Sequence, residues 1–358
     1  MRRYKAVLLL AMCLFALGAC SEPEDSGQIL TTAPTAEPVI TEEVTPTAVP
    51  TVTPTPEPTS TPKPTATATP MPTAKPEEEY EMADKKTVTQ TTCPSELCIK
   101  QMGVQYGTVE HITYDSVTTG LERGANVLLP ADYGEDKKYA VLYFLHGIFG
   151  DENSLIHDKN NKIKEIVANL VAEERTKDMI VVFPNMYAKT DPNQQPGFSS
   201  EAVLPYDNFI NDLVNDLIPV IEAKYSVHTD RKNRGILGFS MGGRETLFIG
   251  LSRPDLFGCI GAIAPAPGLV PGKDNFMTHV GQMQEADMKY DEDDILPELL
   301  MICCGTKDGV VGKFPESYHK IMTTNGVEHL WYEVPGADHD SNAIKSGIYN
   351  FLIRWNEN

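Results

Sequence analysis

Residues 236–244 read ILGFSMGGR, and how this stretch folds decides the architecture of the whole chain. A short apolar run leads into Ser240, which is bracketed by Gly238 and Gly242. The bracket suits a tight turn at which a buried strand becomes a helix, because glycine accepts strained dihedrals and lets backbones approach closely. The same turn can present the Ser240 hydroxyl above a sheet as a nucleophile, with the glycines leaving room where side chains would collide. Alone, the match is weak. Its surroundings have to decide.

Outward from the turn the chain alternates. GTVEHITY and GANVLLP predict an opening pair of strands, and YAVLYFLHG a fully buried strand ending at Gly147. A helix over Asn161 to Glu174 follows, with Ile163, Ile166, Val167, Leu170 and Val171 on one face. Next come the strand Met179 to Pro184, a loop rich in Pro, Gly, Asn and Gln, and a helix over Asp207 to Lys224. After the helix that follows Ser240 stand the strand CIGAIAP and an irregular stretch from Pro265 to about Leu296. The strand LLMICCG, a helix near Glu316 to Thr324, the strand HLWYEVPG and a helix over Asn342 to Trp355 close the chain. Apolar strands separated by amphipathic helices predict an α/β fold, a mostly parallel central sheet with helices on both faces.

In such a sheet, ligands gather at the carboxyl ends of the strands. Three of those ends carry chemistry: Ser240 after RGILG, Asp308 in GTKDG, and His339 after LWYEVPGAD. The order serine, acid, histidine is that of an α/β-hydrolase. Ser240 would attack an acyl carbonyl, which a neutral hydroxyl does poorly without a base. His339 would take its proton, and Asp308 would hold the imidazole in the right tautomer. Asp338 and Asp340 flank His339, but immediate neighbours on a loop rarely aim at each other's rings, so Asp308 is preferred. A tetrahedral oxyanion needs backbone donors, expected from Met241 and from Ile148 in the turn after LYFLHG, with His146 supporting that turn.

Composition bounds the remainder. The formal charge of −20 excludes nucleic acid or another polyanion as partner. Arg2, Arg3 and Lys5 precede an apolar run ending in LGAC, which predicts a signal segment over 1–20 and lipidation at Cys20, as in a bacterial lipobox. Residues 31–76 hold 12 Pro and 15 Thr without an aromatic residue, so 21–99 are expected to be a linker ending in an acidic neck. Fully extended, residues 31–76 would reach roughly 140 Å. The folded domain is expected over 100–358, outside a bacterial cell and joined to the membrane only through the lipid anchor. Cys93 and Cys98 lie close enough to pair as a disulfide, the alternative being two free thiols. Cys259, Cys303 and Cys304 sit in apolar runs and read as core residues; with no histidine at ligand spacing, no metal is expected.

The stretches VLYFLHGIFGDENSL, NDLVNDLIPVIEAKYSV, GFSMGGRE, CGTKDG and PGADHDSNAIKSGIYNF resemble the esterase-D-like, carbohydrate esterase family 1 group. That group includes bacterial feruloyl esterases and some acetylxylan esterases. The resemblance runs from about Gly107 to the C-terminus. It implies Ser240 as nucleophile, Asp308 as acid, His339 as base, Met241 and Ile148 as oxyanion donors, and no metal or organic cofactor. It implies an acylated polysaccharide or oligosaccharide as substrate, with feruloyl or acetyl groups. S-formylglutathione hydrolases, mycolyltransferases and siderophore esterases share the signature. A serine peptidase would need a gating domain, and a silent binding protein would have no need of the complete set. For an aromatic acyl group, Phe149 and the stretches Tyr187 to Tyr206 and Pro265 to Leu296 are expected to line a slot.

Overall fold

Runs such as Ala140–Leu145 and Met179–Pro184 are buried along their whole length, which only a strand covered on both faces can satisfy. The computed structural model, which describes residues 92–357, builds an eight-stranded sheet from such runs. The strands are β1 (Thr108–Ser116), β2 (Leu121–Leu129), β3 (Ala140–Leu145), β4 (Met179–Pro184), β5 (Arg234–Phe239), β6 (Cys259–Ile263), β9 (Leu299–Gly305) and β10 (Leu330–Val334). Between β6 and β9 a separate two-stranded hairpin pairs β7 (Gly272–Lys273) with β8 (Thr278–His279). Sheet order is β1-β2-β4-β3-β5-β6-β9-β10, and every pairing from β4 onward is parallel.

Strand alternation divides the interior in two. Val141, Tyr143 and Leu145 of β3 face one core, and Ala140, Leu142 and Phe144 face the other. The first core is closed by α3 (Phe209–Asp212), a π turn (Leu213–Leu217), α4 (Ile218–Lys224), α5 (Met241–Ser252) and α6 (Phe314–Thr324). The second is closed by α1 (Ile163–Ala172) and α7 (Ser341–Asn356), whose Phe351 and Trp355 rings are buried in it edge to face. The expected α/β-hydrolase architecture is therefore present. Where one helix was expected over Asp207 to Lys224, the chain instead forms α2 (Ser200–Asp207) and then α3, the π turn and α4. Ser199 caps α2 by accepting from the Ala202 N–H. Pro205 cannot donate to the Glu201 carbonyl, and the Gln194 amide donates to it instead, at 2.9 Å.

Two expectations about the domain's start change. A 3-10 turn, Ser95–Cys98, packs onto α1 and α7: Leu97 is fully buried, and the Asn169 amide donates to the carbonyls of Leu97 and Ile99. Folded chain thus begins ahead of residue 100. Cys93 and Cys98 are two thiols with their sulphurs 3.7 Å apart, not a disulfide at about 2 Å. Each instead contacts the Pro94 carbonyl across the turn. The signal segment, Cys20 and the Thr/Pro-rich stretch lie outside the described residues. Among the described residues, no helix is long and apolar enough to cross a membrane.

Candidate active site

Ser240 is the single residue between the end of β5 and the start of α5. Its φ of 58° and ψ of −117° lie where a side chain is strained, at a cost on the order of 1–3 kcal/mol. Its neighbours hold the strain in place. The Ser240 N–H donates to Ile263, and its carbonyl accepts from Arg244 at 3.0 Å and from Ala266 at 2.9 Å. The flanking glycines are required by contact: a Cβ on Gly238 would stand 2.1 Å from the Gly242 carbonyl oxygen, and one on Gly242 would stand 2.4 Å from that of Leu145. The turn and the presentation of Ser240 are one structure.

Asp308 follows β9 and His339 follows β10, the next strand across the sheet. His339 Nδ1 lies 2.7 Å from Asp308 Oδ2, while Asp308 Oδ1 accepts from the N–H groups of Val310 and Val311 at 3.0 and 3.1 Å. Burial raises the Asp308 pKa, but the bond and charge of His339 and the two N–H donors outweigh it and hold the carboxyl below its usual range. An anionic Asp308 places the proton on Nδ1 and leaves the Nε2 lone pair available as a base. The His339 ring lies over Phe239, the residue before Ser240, with centroids 4.5 Å apart. The two rival acids are engaged elsewhere. Asp338 Oδ1 accepts from the backbone N–H of His339, and Asp340 caps α7 through the N–H groups of Asn342 and Ala343.

The turn after β3 passes beside the nucleophile: a Cβ on Gly147 would lie 3.4 Å from Ser240 Cβ. Among the described residues, no protein acceptor takes the N–H of Ile148 or of Met241, the first residue of α5. His146 holds the turn as expected. Its Nδ1 donates to the Gly147 carbonyl at 2.7 Å, and its Nε2 accepts from the Met186 N–H at 3.0 Å, tying the loop after β3 to the loop after β4. Only 1% of His146 is exposed, and burial lowers its pKa from 6.5 to about 4. Below pH 6.5 the unfolded chain therefore binds a proton that the folded chain refuses. The stabilisation is complete above pH 6.5, is lost as pH falls from 6.5 toward 4, and amounts to about 3 kcal/mol. Urea unfolding at pH 7 and pH 4.5 should show this loss in the wild type and a shallower one in His146→Asn, since His319 and His329 share its sign.

One grouping was not read in the sequence. Behind α5, the Arg244 guanidinium is buried against Glu245 and Asp207, and the Gln282 amide donates to both acids, at 2.8 and 3.1 Å. Burial, opposed by Arg244 and reinforced by Glu245, pushes the Asp207 carboxyl up to about 6. The sequence signal was a charged pair, Arg244–Glu245, inside an otherwise apolar helix. The loops expected to line an acyl slot do meet, through three exposed rings, one of which, Phe149, stands on the turn that passes beside Ser240. Phe149 packs edge-on to Phe198 at 5.2 Å, and Phe198 stacks on Phe276 at 4.5 Å. Phe276 sits on the β7–β8 hairpin, whose turn Asp274 holds by accepting from the N–H groups of Phe276 and Met277 and by pairing with His279. His279 thus braces the hairpin.

The model of the "Putative esterase" family matches residues 116–309. A CE1 ferulic acid esterase from Anaeromyces mucronatus, solved in complex with ferulic acid, is 47% identical, with a TM-score of 0.71 over 75% of this chain and 97% of its own. The chain belongs to the CE1-type esterase family. An endo-1,4-beta-xylanase/feruloyl esterase of Xylanibacter ruminicola is 34% identical over 166 residues, 45% of this chain, which spans only 22% of that relative's length. An S-formylglutathione hydrolase of Staphylococcus aureus, 19% identical with a TM-score of 0.52 over 71% of this chain and 100% of its own, shares the fold. This esterase keeps Ser240 and Asp308 within the matched span, while His339 lies beyond it.

Proposed function

We propose that the protein is a serine carboxylic-ester hydrolase that releases ferulic acid from acylated plant cell-wall polysaccharide such as arabinoxylan. One observation carries the reading: a strained serine after β5 and a bonded Asp308–His339 pair after β9 and β10, His339 lying over the residue before the serine, with a cluster of exposed phenylalanines on loops of the same domain. Ser240 Oγ attacks the ester carbonyl carbon as His339 Nε2 takes its proton. The oxyanion forms against the N–H groups of Met241 and Ile148. Collapse expels the sugar alkoxide, which takes the proton from His339, and the acyl group remains on Ser240. Water, deprotonated by His339, then attacks the acyl-enzyme; the bond to Ser240 Oγ breaks, Oγ takes the proton back from His339, and the acid is freed. Asp308 steadies the imidazolium in both halves without itself taking the proton. The identity to a ferulic acid esterase and to a xylanase/feruloyl esterase supports this substrate class.

Phe149, Phe198 and Phe276 are the side chains we assign to the feruloyl ring, since aromatic pairs gain from edge and stacked contacts beyond the area they bury. Phe276→Ala is expected to lower kcat/KM for methyl ferulate roughly tenfold more than for p-nitrophenyl acetate. Equal losses on the two esters would remove the ring from acyl recognition. Acetate release from acetylated xylan without ferulate release from arabinoxylan would make the protein a deacetylase of the same mechanism. We also assign Cys20 as the lipidated residue and residues 21–91 as the spacer, holding the enzyme outside the cell against a polymer too large to import. Cys20→Ala should then move the protein from the membrane fraction to the medium. Retention in the membrane would refute the anchor.

A further inference from the structure

The backbone of the turn after β3 holds a residue in an unfavourable place. Phe149 has φ of 63°, and the Gly150 N–H donates back to the Gly147 carbonyl at 3.1 Å. A four-residue turn with positive φ at its third position has the form of a type II turn, which normally puts glycine there. Phenylalanine does not rest in that conformation unless something holds the peptide between Ile148 and Phe149 against flipping. The structure shows what does. The Phe149 N–H donates to the hydroxyl of Tyr206 at 3.1 Å, and Tyr206 is fully buried near the end of α2, packed against Tyr187. The next residue, Asp207, is tied to Arg244 of the helix that follows the nucleophile. Tyr206 therefore fixes the turn from a support already locked to α5.

We propose that Tyr206 is the positioning residue of the oxyanion turn: by holding the Ile148–Phe149 peptide, its hydroxyl fixes the turn on the C-terminal side of Ile148 and so sets where the Ile148 N–H, carried by the preceding Gly147–Ile148 peptide, meets the reacting carbonyl. The inference rests on the ester-hydrolase reading. Tyr206 touches neither substrate nor the reacting atoms. Its effect on chemistry passes through the backbone of a residue whose own preference runs the other way.

The test uses the full chain and compares wild type with Tyr206→Phe, which removes the hydroxyl and keeps the buried ring. With p-nitrophenyl acetate, Tyr206→Phe is expected to lower kcat about 10- to 100-fold with KM within a factor of two, short of complete loss of an oxyanion donor. Inhibition by an aryl trifluoromethyl ketone, whose adduct with Ser240 places an oxyanion in the same position, should weaken by a similar factor. Binding of ferulic acid should stay within twofold. A kcat for Tyr206→Phe within twofold of wild type overturns the proposal, as does equal weakening of the ketone and of ferulic acid. If Tyr206→Phe does not fold, replacing Tyr206 by 3,5-difluorotyrosine, which keeps the ring and weakens the hydroxyl as an acceptor, decides alone: a fall in kcat of about twofold or more with KM unchanged supports the proposal and a smaller one overturns it. Ser240→Ala separates the two layers. Turnover that survives it defeats the ester-hydrolase reading, whereas turnover lost with Ser240→Ala but kept with Tyr206→Phe defeats this inference alone.

Discussion

Ser240→Ala is expected to lower kcat on methyl ferulate roughly 10⁵- to 10⁶-fold, the scale on which removing the nucleophile disables a serine hydrolase. The exchange removes one oxygen and keeps the Cβ. The backbone bonds that hold the strained turn, from Ser240 to Ile263, Arg244 and Ala266, are all main-chain and survive it. The thermal midpoint and the affinity for ferulic acid should therefore stay near wild type while turnover disappears. Some acceleration over water should remain, because the Met241 and Ile148 N–H groups are still present to meet an oxyanion. A variant retaining more than a few per cent of the wild-type rate would show that Ser240 is not the nucleophile.

Asp308→Asn should cost about 10⁴ in kcat, by analogy with serine hydrolase triads, and leave KM little changed. The carboxylate does two things an amide cannot. It keeps the proton on His339 Nδ1, so that Nε2 faces the reaction as a base, and it stabilises the imidazolium once Nε2 has taken the serine proton. An amide nitrogen at the same position would donate to Nδ1 and impose the wrong tautomer. The Val310 and Val311 N–H groups, which now meet Oδ1, can be satisfied by the amide oxygen, so the loop should keep its shape. Combining the substitution with Ser240→Ala should add almost nothing, because members of one catalytic unit do not contribute independently. A loss below tenfold would pass the acid's role to another carboxylate. Asp338 and Asp340 are poorly placed to take it, one being bound to the His339 backbone and the other capping α7.

The parts of this site that were legible in the sequence carry their signal locally. A serine between glycines after an apolar run announces its own turn, and Asp308 and His339 each follow a strand that can be recognised without its partners. What stayed hidden depends on chain segments far apart in sequence. Phe149 and the stretches that hold Phe198 and Phe276 were expected at one slot, but which of their rings touch is decided only by the assembled sheet. Helix α2 was obscured because Pro205 argues against a helix interior, and the Gln194 contact that compensates for it comes from outside the helix. The β7–β8 hairpin has two residues per strand, too few for any alternation to register. For Cys93 and Cys98, sequence spacing limits how far apart the sulphurs can be but does not decide whether they join.

The order of the elements along the chain has a consequence for biosynthesis. Ser240 and its turn are complete once β5, α5 and β6 have been made, but His339 comes 99 residues after the serine, beyond β10, and is set in place only as α7 closes over the sheet. At ~5–20 residues per second, a ribosome needs roughly 5–20 s to cover that distance. Throughout that interval the nascent polypeptide carries a strained alcohol with no base beside it, which is chemically inert. Reactivity therefore arrives with the last layer of the fold, and a chain that stalls or is cut before that layer is a harmless one.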